Sequence, residues 1–427
     1  MHPLVPAAPV VAGRRARRGP RSPRTVDVDV VVVGAGQAGL STAYHLARTG
    51  LVPVGSPGWE GARGTFVVLD DNPRAGGAWQ HRWRSLTMAD AHRVHDLPGM
   101  PLTIVDPAEP AADAVPYYFA QYEEAYGLNV QRPVRVTRVE RSAADGPRFL
   151  VSTQHVDHPD EVVLWSARGI VNASGTWRKP FWPAYPGRGV FRGRQLHTHD
   201  FRSAADLADG HVVVVGGGTS AVQLLLQVAQ VTTTTWVTRR PPAWVDAQFT
   251  PELGREAVAR VEDRVRAGLT PESVVSVTGL PLTPLYRAGI ESGVLRARPV
   301  FTRIVPDGVE WAGPGGASGS VEDVVDERVA GGDGSRDERV DGLDGWVDGP
   351  PFVAARTILW ATGFRASLDH LAPLALRGPG GGIAMDGTQV VAEPAVQLVG
   401  YGPSASTVGA NRAGREAARR LRRTLGW

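Results

Sequence analysis

The sequence contains no cysteine. This absence excludes structural disulfides, thiolate metal sites and a redox-active dithiol. Long apolar runs are also missing, although 42% of the residues are hydrophobic. Because no uninterrupted apolar stretch reaches about eighteen residues, we expect no membrane span and a cytoplasmic location. The length of 427 residues predicts two or three domains.

Acidic residues are absent from the first 25 positions, which contain six arginines. Without these arginines the rest of the chain is mildly acidic, and this balance does not indicate nucleic-acid binding. No apolar region follows Arg14 and Arg15, so the segment is not a secretory or twin-arginine signal. We predict that residues 1–25 form a disordered basic leader, with a basic interaction arm as the alternative.

Two glycine-rich motifs each follow a run of valines and precede a helical pattern. Their small residues are Gly34, Gly36 and Gly39 in the first motif, and Gly216, Gly218 and Ala221 in the second. In dinucleotide-binding units the first glycine makes a tight turn, the second lets the backbone approach the pyrophosphate, and the third lets helix and strand pack closely. The pyrophosphate then lies at the helix N-terminus. A single motif is also compatible with a flexible turn, whereas this pair predicts two dinucleotides and an electron route between them.

An acidic residue follows the second strand of the first unit. Thr65 to Leu69 is predicted to form this strand, and Asp70 comes directly after it. Such an acid holds the ribose hydroxyls in Rossmann units. Asp70 lies further along the chain than usual because a glycine-rich insertion at Gly55 to Gly64 precedes the strand. Asp71 is the alternative, and either residue could instead only open the following turn.

Apolar runs and helical periodicity predict the remaining elements of an α/β protein. Further strands are predicted at Asp27 to Val33, Val134 to Arg141, Phe149 to Thr153, Glu161 to Ala167, Val212 to Val215, Thr235 to Thr238 and Arg356 to Trp360. Helices are predicted at Leu40 to Arg48, Tyr117 to Tyr126, Ser220 to Gln230 and Gly409 to Leu425. Residues 312–350 are rich in Gly and Asp and poor in apolar residues, so we interpret them as a loop insertion.

Three further motifs identify a family. Phe191 to Phe201 contains the pattern F-x-G-x-x-x-H-x-x-x-[F/Y], and the chain also has the elements Gly76-Gly77-Ala78-Trp79 and Ala361-Thr362-Gly363. With both glycine motifs, this order resembles the class B flavin-dependent monooxygenases, which include the flavin-containing monooxygenases. Two-dinucleotide disulfide reductases share the layout, but a chain without cysteine cannot carry out their chemistry.

The resemblance implies that the first glycine motif holds FAD and the second NADPH. It implies two Rossmann-like domains, with the NADPH domain inserted into a discontinuous FAD domain. We expect the FAD domain to comprise residues 26–180 and 350–427, and the NADPH domain residues 205–345. The linker at residues 181–204 would carry the Phe191 to Phe201 motif.

The preference for NADPH has local support. Arg239 and Arg240 follow the second strand of the second unit, where NAD-specific proteins place an acid. An arginine at this point can pair with the 2′-phosphate through a bidentate fork. The alternative is that both are solvated loop arginines.

The resemblance also places residues near the flavin. Gly77 and Trp79 would lie close to it, although Trp79 could simply fill the core. Gly363 belongs to the A-T-G element. Gly402 belongs to a late glycine region where the final helix would approach the flavin and its dipole would favour the negatively charged reduced form. A simple turn is the alternative for Gly402.

His197 is the histidine of the family motif and a candidate catalytic residue. An unperturbed histidine titrates near neutrality and can act as a general acid or base. We favour a role in coupling cofactor binding to domain movement over direct proton transfer. His199 has no matching position in the motif and could simply be exposed.

The implied reaction begins with reduction of FAD by NADPH. Reduced FAD and O2 would form a C4a-(hydro)peroxyflavin, which inserts one oxygen atom into a small organic substrate. Phe201 ends the motif where Baeyer–Villiger enzymes usually carry Trp, so we favour N- or S-oxygenation.

One departure weakens this expectation. N-oxygenating relatives carry an Asn beside the flavin, whereas Trp83 to Met100 contains none. Asp90 and His92 are candidate replacements for its catalytic role. The alternatives are an NADPH oxidase or flavin reductase that releases H2O2, a Baeyer–Villiger monooxygenase and, least favoured, a non-catalytic nucleotide-binding redox module.

Overall fold

The computed structural model describes residues 24–91, 94–142, 148–245, 251–271, 279–311 and 345–427, with only the backbone described for 251–257. Most of the predicted leader and most of the predicted insertion at 312–350 therefore lie outside the described residues. Within the described part of the chain, no helix is long and apolar enough to cross a bilayer.

The helices are α1 (Gln37–Arg48), α2 (Ala111–Ala125), α3 (Thr219–Val228), α4 (Pro251–Arg266), α5 (Pro284–Glu291) and α6 (Thr407–Leu425). The strands are β1 (Arg24–Val33), β2 (Val52–Pro53), β3 (Thr65–Leu69), β4 (Val134–Arg141), β5 (Phe149–His155), β6 (Val162–Asn172), β7 (Arg194–His197), β8 (Val212–Val215), β9 (Thr234–Thr238), β10 (Trp244–Val245), β11 (Leu280–Pro281), β12 (Ala297–Pro299), β13 (Arg303–Val305), β14 (Gly308–Glu310), β15 (Phe352–Ala354), β16 (Thr357–Trp360), β17 (Met385–Asp386), β18 (Gln389–Val390) and β19 (Glu393–Leu398).

The first large sheet is built around β1. Its main strand order is β17-β18-β19-β6-β1-β3-β2; β5 pairs antiparallel with β6, and β4 pairs antiparallel with β5. The valines that end β1 are almost completely buried because α1 covers one face of the sheet and a second apolar cluster covers the other. Strands buried on both faces have continuous apolar sequences, and the valine run before the first glycine motif has this pattern.

The second large sheet is parallel throughout, with the order β12-β9-β8-β16-β7. Its central strand β8 consists of four buried valines, and α3 packs against it. Among the residues that the structure describes, two further small sheets are formed, one by β10 and β11 and the other by β13, β14 and β15.

The sheet pairing differs from the expected domain boundaries at two strands. We assigned Thr357 to Trp360 to the FAD domain and Arg194 to His197 to the linker. Instead, β16 pairs with β8 and β7 pairs with β16, so both strands belong to the second sheet. The chain returns to the first sheet later, through β17, β18, β19 and α6. A buried apolar strand shows that it pairs in some sheet but does not show in which one, and this explains the difference.

Candidate functional site

The first glycine motif forms a tight turn between β1 and α1. Gly34 has a φ of +98°, and a Cβ at this position would lie 2.6 Å from the carbonyl oxygen of Ala173. A Cβ on Gly39 would lie 1.8 Å from the carbonyl oxygen of Gly34. Gly36 differs, because no described atom lies within 4 Å of the position of its Cβ. The outer glycines are therefore required by the protein itself, while Gly36 borders open space.

The second motif repeats this arrangement between β8 and α3. Gly216 has a φ of +143°, and its Cβ would lie 2.2 Å from the carbonyl oxygen of Ala361. Gly218 borders open space as Gly36 does. Ala221 is completely buried at the third position. The methyl group of an alanine fits here, whereas the same position of the first motif admits only glycine.

The helices that follow the two turns lack side-chain caps. Gly36 and Gly218 are their N-cap residues, and neither provides a side-chain acceptor for the first N–H groups. By contrast, Thr283 caps α5 and Ser406 caps α6. Unpaired N–H groups and the positive end of the helix dipole attract anions. Both turns therefore have the backbone geometry and the polarity of a pyrophosphate site.

A buried polar atom without a partner lies at the first turn. The side-chain nitrogen of Gln37 donates to Asn411 Oδ1 at 3.0 Å and to the His95 carbonyl oxygen at 3.1 Å. Gln37 Oε1 is buried and has no hydrogen-bond partner among the described residues. A ligand hydroxyl could satisfy this acceptor. Together with the open space at Gly36, this fits a polar cofactor such as FAD at the first turn.

Asp70 lies directly after β3, as the sequence predicts, and is almost completely buried. Its carboxylate accepts hydrogen bonds from Asn72 Nδ2 at 2.9 Å and from Arg132 Nε at 3.3 Å. Burial raises the pKa of Asp70, and the Arg132 charge opposes this rise. A carboxylate has about four acceptor positions, so these two bonds leave room for ribose hydroxyls. The alternative residue Asp71 is more exposed and forms an ion pair with Arg178 at 3.2 Å.

The G-G-x-W element packs directly on the first turn. Gly77 has a φ of +51°, and its Cβ would lie 2.8 Å from the Cα of Gly36. Trp79 is partly buried and packs against the main apolar cluster, which agrees with the core-filling interpretation of this residue. The structure therefore brings Gly77, but not specifically the indole of Trp79, to the edge of the first glycine turn.

The late glycine region also reaches the first turn. Gly400 has a φ of +77°, and its Cβ would lie 3.5 Å from the Cβ of Ala38 in α1. Gly402 has a φ of +57° and lies against Val265 of α4. Both glycines are in the segment that leads into α6. This segment, the G-G-x-W element and the first glycine turn therefore lie around one region of the molecule.

His197 ends β7 at the same edge of the second sheet as the second glycine turn. Its ring is completely buried. Nε2 lies 3.0 Å from the carbonyl oxygen of Gly363, and Nδ1 accepts from the backbone N–H of His199 at 3.0 Å. These partners select the neutral tautomer with its proton on Nε2. Burial lowers the pKa of His197 to about 4, so the ring links two chain segments as a neutral group.

An aromatic bridge connects the two glycine units. We use this name for His81, Trp83, Trp177, His199, Phe201 and Phe364. Trp177 stacks on His81 and Phe364, with centroid distances of 5.9 Å and 5.2 Å, and lies 4.8 Å from His199. Trp83 meets the edge of Phe201 at 5.9 Å. The bridge thus packs the G-G-x-W region against both the family motif and the A-T-G turn.

Arg82 places a positive charge inside this aromatic environment. Its guanidinium lies 4.9 Å from the ring centre of Trp177 and 5.9 Å from those of Trp79 and Trp83. No carboxylate of the described residues pairs with it, and its Nε is buried without a hydrogen-bond partner there. Burial lowers the pKa of Arg82 to about 10, so it remains charged at neutral pH. The tryptophan rings therefore stabilise the Arg82 guanidinium through cation–π contacts, in place of an ion pair with a carboxylate.

Asp90 lies at the surface rather than in the aromatic bridge. Its carboxylate accepts a hydrogen bond from Thr87 Oγ1 at 2.8 Å, and its carbonyl oxygen accepts from Gln223 Nε2 of α3 at 3.3 Å. These bonds dock the segment onto the second unit but do not bring the carboxylate to Gly77 or His197. The other candidate, His92, lies outside the described residues.

Arg239 and Arg240 are exposed immediately after β9. This strand pairs with β8, so both arginines lie at the edge of the sheet that carries Gly216. The position suits an interaction with a phosphate near the second turn.

The structure also reveals participants that the sequence analysis missed. Trp177 and Arg82 lie at the centre of the aromatic bridge, and neither was predicted. Arg82 follows the G-G-x-W element closely, and this proximity was the only available signal. Trp177 follows the small-residue segment after β6, whose spacing gives no sign that the ring would meet three distant histidine and phenylalanine side chains.

Comparison with known proteins agrees with this geometry. A family model described as pyridine nucleotide-disulphide oxidoreductase matches residues 66–274. The solved structure of a flavin-containing monooxygenase from Stenotrophomonas maltophilia is 32% identical, with a TM-score of 0.68, and the match covers 94% of this chain and 99% of that chain. This chain belongs to the flavin-containing monooxygenase family, as the sequence motifs predict. The predicted α/β fold with two dinucleotide-binding units is thereby confirmed.

Curated relatives are matched over part of their length. Indole-3-pyruvate monooxygenase YUCCA1 of Oryza sativa is 30% identical over 47% of this chain and 45% of its own length. Senecionine N-oxygenase of Tyria jacobaeae is 23% identical over 48% and 45%. The chain spans about half the length of the curated relatives it matches. The family consists of flavin-dependent oxidoreductases, and its typical cofactors, FAD and NADPH, are the predicted pair.

Proposed function

We propose that this chain is an NADPH-dependent FAD monooxygenase. It would transfer one oxygen atom from O2 to an amine nitrogen or a sulfide sulfur of a small organic substrate. The observation that carries the proposal is the pair of matching turns. Each has a first glycine with a positive φ and no room for a Cβ, open space at the second glycine and a helix without a side-chain cap.

In this proposal the first turn holds FAD. Gly36 gives the pyrophosphate access to the N-terminus of α1, and the carboxylate of Asp70 accepts hydrogen bonds from ribose. Gly77 and the Gly402 region face the remainder of the cofactor. When bound, FAD supplies the hydride acceptor and the reaction with O2, which the side chains alone cannot supply.

The second turn would hold NADPH. Gly218 gives access to α3, while Arg239 and Arg240 provide cations for the 2′-phosphate. The order of the two sites follows from the family motifs, since the G-G-x-W element and the late glycines gather at the first turn and not at the second. Electrons would pass from the second site to the first.

The residues between the two sites would position chain segments and exclude water, and they would not transfer protons. His197 fixes the Gly363 turn relative to β7 as a neutral ring, so we propose a positioning role for it. The aromatic bridge covers the junction with apolar surface that excludes water, and a dry site limits loss of oxidising equivalents as H2O2. Arg82 adds a positive charge that favours an anionic group nearby.

The choice of N- or S-oxygenation rests on two observations. Phe201 occupies the last position of the family motif, where the Baeyer–Villiger enzymes that the motif resembles usually carry Trp. Senecionine N-oxygenase is among the matched relatives, and its name describes oxygen transfer to nitrogen. Both favour a soft nucleophile over a ketone.

The experiment measures whether the electrons of NADPH are used to form an oxygenated product or H2O2. Purified protein with FAD is supplied with NADPH and, separately, an amine, a sulfide and a ketone, and both oxygenated product and H2O2 are quantified per NADPH consumed. The proposal predicts product from the amine or the sulfide. If all NADPH consumed appears as H2O2 with every substrate class, the monooxygenase proposal is wrong.

An NADPH oxidase is the second candidate, and one observation favours it. No Asn occurs from Trp83 to Met100, and the proposed replacement Asp90 is exposed and bonded to Thr87. A site without this asparagine amide beside the flavin would release H2O2 from the reduced cofactor. The same measurement of product against H2O2 decides between the two candidates.

A further inference from the structure

An exposed tryptophan lies at the end of the second sheet. Trp346 belongs to the short segment that precedes β15, and its side chain is 44% exposed. Its indole Nε1 donates a hydrogen bond to Thr238 Oγ1 at 3.0 Å. A large ring that is both exposed and oriented by its own polar atom presents a flat apolar face to solvent.

Thr238 connects this ring to the second glycine turn. It is the last residue of β9 and is 1% exposed. A Cβ built on Gly217 would lie 3.8 Å from its Cγ2. Thr238 is therefore in contact with the glycine turn on one side and hydrogen-bonded to Trp346 on the other.

The backbone beside Trp346 is tied to the edge of the same sheet. The N–H of Val347 donates to the carbonyl oxygen of Ala297 in β12 at 2.8 Å. Arg298 in β12 donates to the carbonyl oxygen of Pro350 at 2.8 Å. The indole is consequently held at the carboxyl end of β9, and the backbone beside it is tied to Ala297 and Arg298, the first two residues of β12.

Ligands of open α/β sheets lie outside the carboxyl ends of the strands, and the end of the second strand of each unit is next to the ribose of the adenosine. In the second unit that strand is β9. A flat exposed ring that is hydrogen-bonded to Thr238, the last residue of this strand, suits stacking with a purine. Aromatic side chains stack on the flat faces of nucleic-acid bases, and the adenine of a dinucleotide offers the same kind of face.

We propose that Trp346 is the platform on which the adenine ring of NADPH stacks at the second glycine turn. This inference rests on the proposed function, because it assumes a dinucleotide at that turn. Trp346 would act separately from the arginines after β9, since the indole binds the base and Arg239 and Arg240 bind the 2′-phosphate. Trp346 is thus a specificity-determining residue for the adenosine half of the cofactor.

The proposal is tested by calorimetric binding to the full-length, FAD-loaded protein. Three probes divide the cofactor: NADP⁺, 2′,5′-ADP as its adenosine half, and nicotinamide mononucleotide as its other half. The variants are Trp346→Ala, Trp346→Leu, which keeps an apolar cover without a ring face, and Trp346→Phe, which keeps a ring. Phe352→Ala is the matched control, because Phe352 is a similarly exposed aromatic residue, in β15.

Trp346→Ala and Trp346→Leu should each weaken binding of NADP⁺ and of 2′,5′-ADP by about ten- to a hundredfold. Trp346→Phe should recover most of the affinity. Nicotinamide mononucleotide binding, FAD content and the Phe352→Ala variant should not change.

Three outcomes overturn the proposal and are distinguishable from one another. Unchanged affinity for 2′,5′-ADP in Trp346→Leu, while wild-type protein binds NADP⁺, shows that the indole only covers the sheet edge and leaves the proposed function intact. Failure of wild-type protein to bind NADP⁺ overturns the proposed function and this inference together. An equal loss for all three probes also contradicts the proposal, since it indicates general damage to the unit.

Discussion

At the scale of single residues, His197 links ionisation to stability. Its pKa is about 4 in the folded protein, against 6.5 for an unperturbed histidine, because burial disfavours the charged ring. The folded state therefore favours the neutral form. The resulting stabilisation is complete above pH 6.5 and is lost as the pH falls from 6.5 towards 4, at about 1.4 kcal/mol for each unit of pKa difference.

His197→Phe should remove this titration together with the hydrogen bond to Gly363. We expect the free energy of unfolding at pH 8 to fall by about 0.5–1.5 kcal/mol, because the hydrogen bond to His197 is lost while the Gly363 carbonyl keeps its bond from the backbone N–H of Phe181. We also expect the dependence of that free energy on pH between 6.5 and 4 to become shallower. Urea unfolding at a series of pH values measures both effects.

A second buried histidine provides the control. Burial also lowers the pKa of His370 to about 4, and its Nε2 lies 2.7 Å from Asn172 Oδ1. His370→Phe should flatten the same pH window without disturbing the Gly363 turn. An unchanged slope in His197→Phe would contradict the buried neutral state. So would a pH dependence of kcat/KM near 6.5 that disappears in this variant, since it would assign proton transfer to His197.

At the scale of elements, the binding functions of the two strand–turn–helix units should be distinguishable by single glycine-to-alanine substitutions, each of which adds one methyl group. Gly36 and Gly218 have φ values of −84° and −100°, which any residue adopts, and their Cβ positions meet no described atom within 4 Å. Alanine should therefore be tolerated by the protein at both positions. A bound pyrophosphate would instead meet the new methyl group.

Gly36→Ala should lower the FAD content of the purified protein, while Gly218→Ala should retain FAD and weaken NADPH binding. We expect each affinity to fall at least about tenfold, which corresponds to about 1.4 kcal/mol of lost interaction. FAD absorbance per protein and the KM for NADPH are the measurements. Gly34→Ala is the contrasting control, because its positive φ and close contact with Ala173 should destabilise the whole fold. Loss of FAD in Gly218→Ala, with FAD retained in Gly36→Ala, would reverse the assignment of the sites.

Much of the element structure could be predicted from sequence. The bounds of Thr65–Leu69, Val134–Arg141 and Val212–Val215 agree with the structure residue for residue. Thr65–Leu69 and Val212–Val215 are recognisable as short apolar runs, whereas Val134–Arg141 is recognisable from valines interspersed with polar residues. The sheet to which Thr357–Trp360 belongs was not predictable, because pairing depends on residues more than a hundred positions away. Helices α4 and α5 were missed for a different reason: α4 has many charged residues, and α5 is short.

The candidate site was predictable in part. Local motifs indicated the glycine turns, because the tight turn that requires these glycines is formed by residues close together in the sequence. The aromatic bridge and Trp346 depend on contacts between distant segments, such as the hydrogen bond from Trp346 to Thr238, and spacing carries no information about them. The exposed position of Asp90 could not be foreseen either, because the placement of its segment involves a contact with Gln223, more than a hundred positions away.

At the scale of the whole molecule, the central claim is that electrons pass from NADPH at the second unit to FAD at the first. The aromatic bridge joins the two units where the G-G-x-W region, the family motif and the A-T-G turn meet. Contacts between Trp83 and Phe201, and between Trp177 and Phe364, hold these parts together. Under the proposed function, a flavin at the first unit would accept a hydride from a nucleotide bound at the second sheet.

The most direct measurement is anaerobic addition of NADPH to the purified yellow protein, with the visible absorbance of the flavin followed over time. We predict that an equimolar amount of NADPH bleaches the oxidised flavin, that Gly218→Ala slows the bleaching at low NADPH, and that air restores the colour. A protein that carries FAD but whose absorbance does not change with excess NADPH would contradict the account.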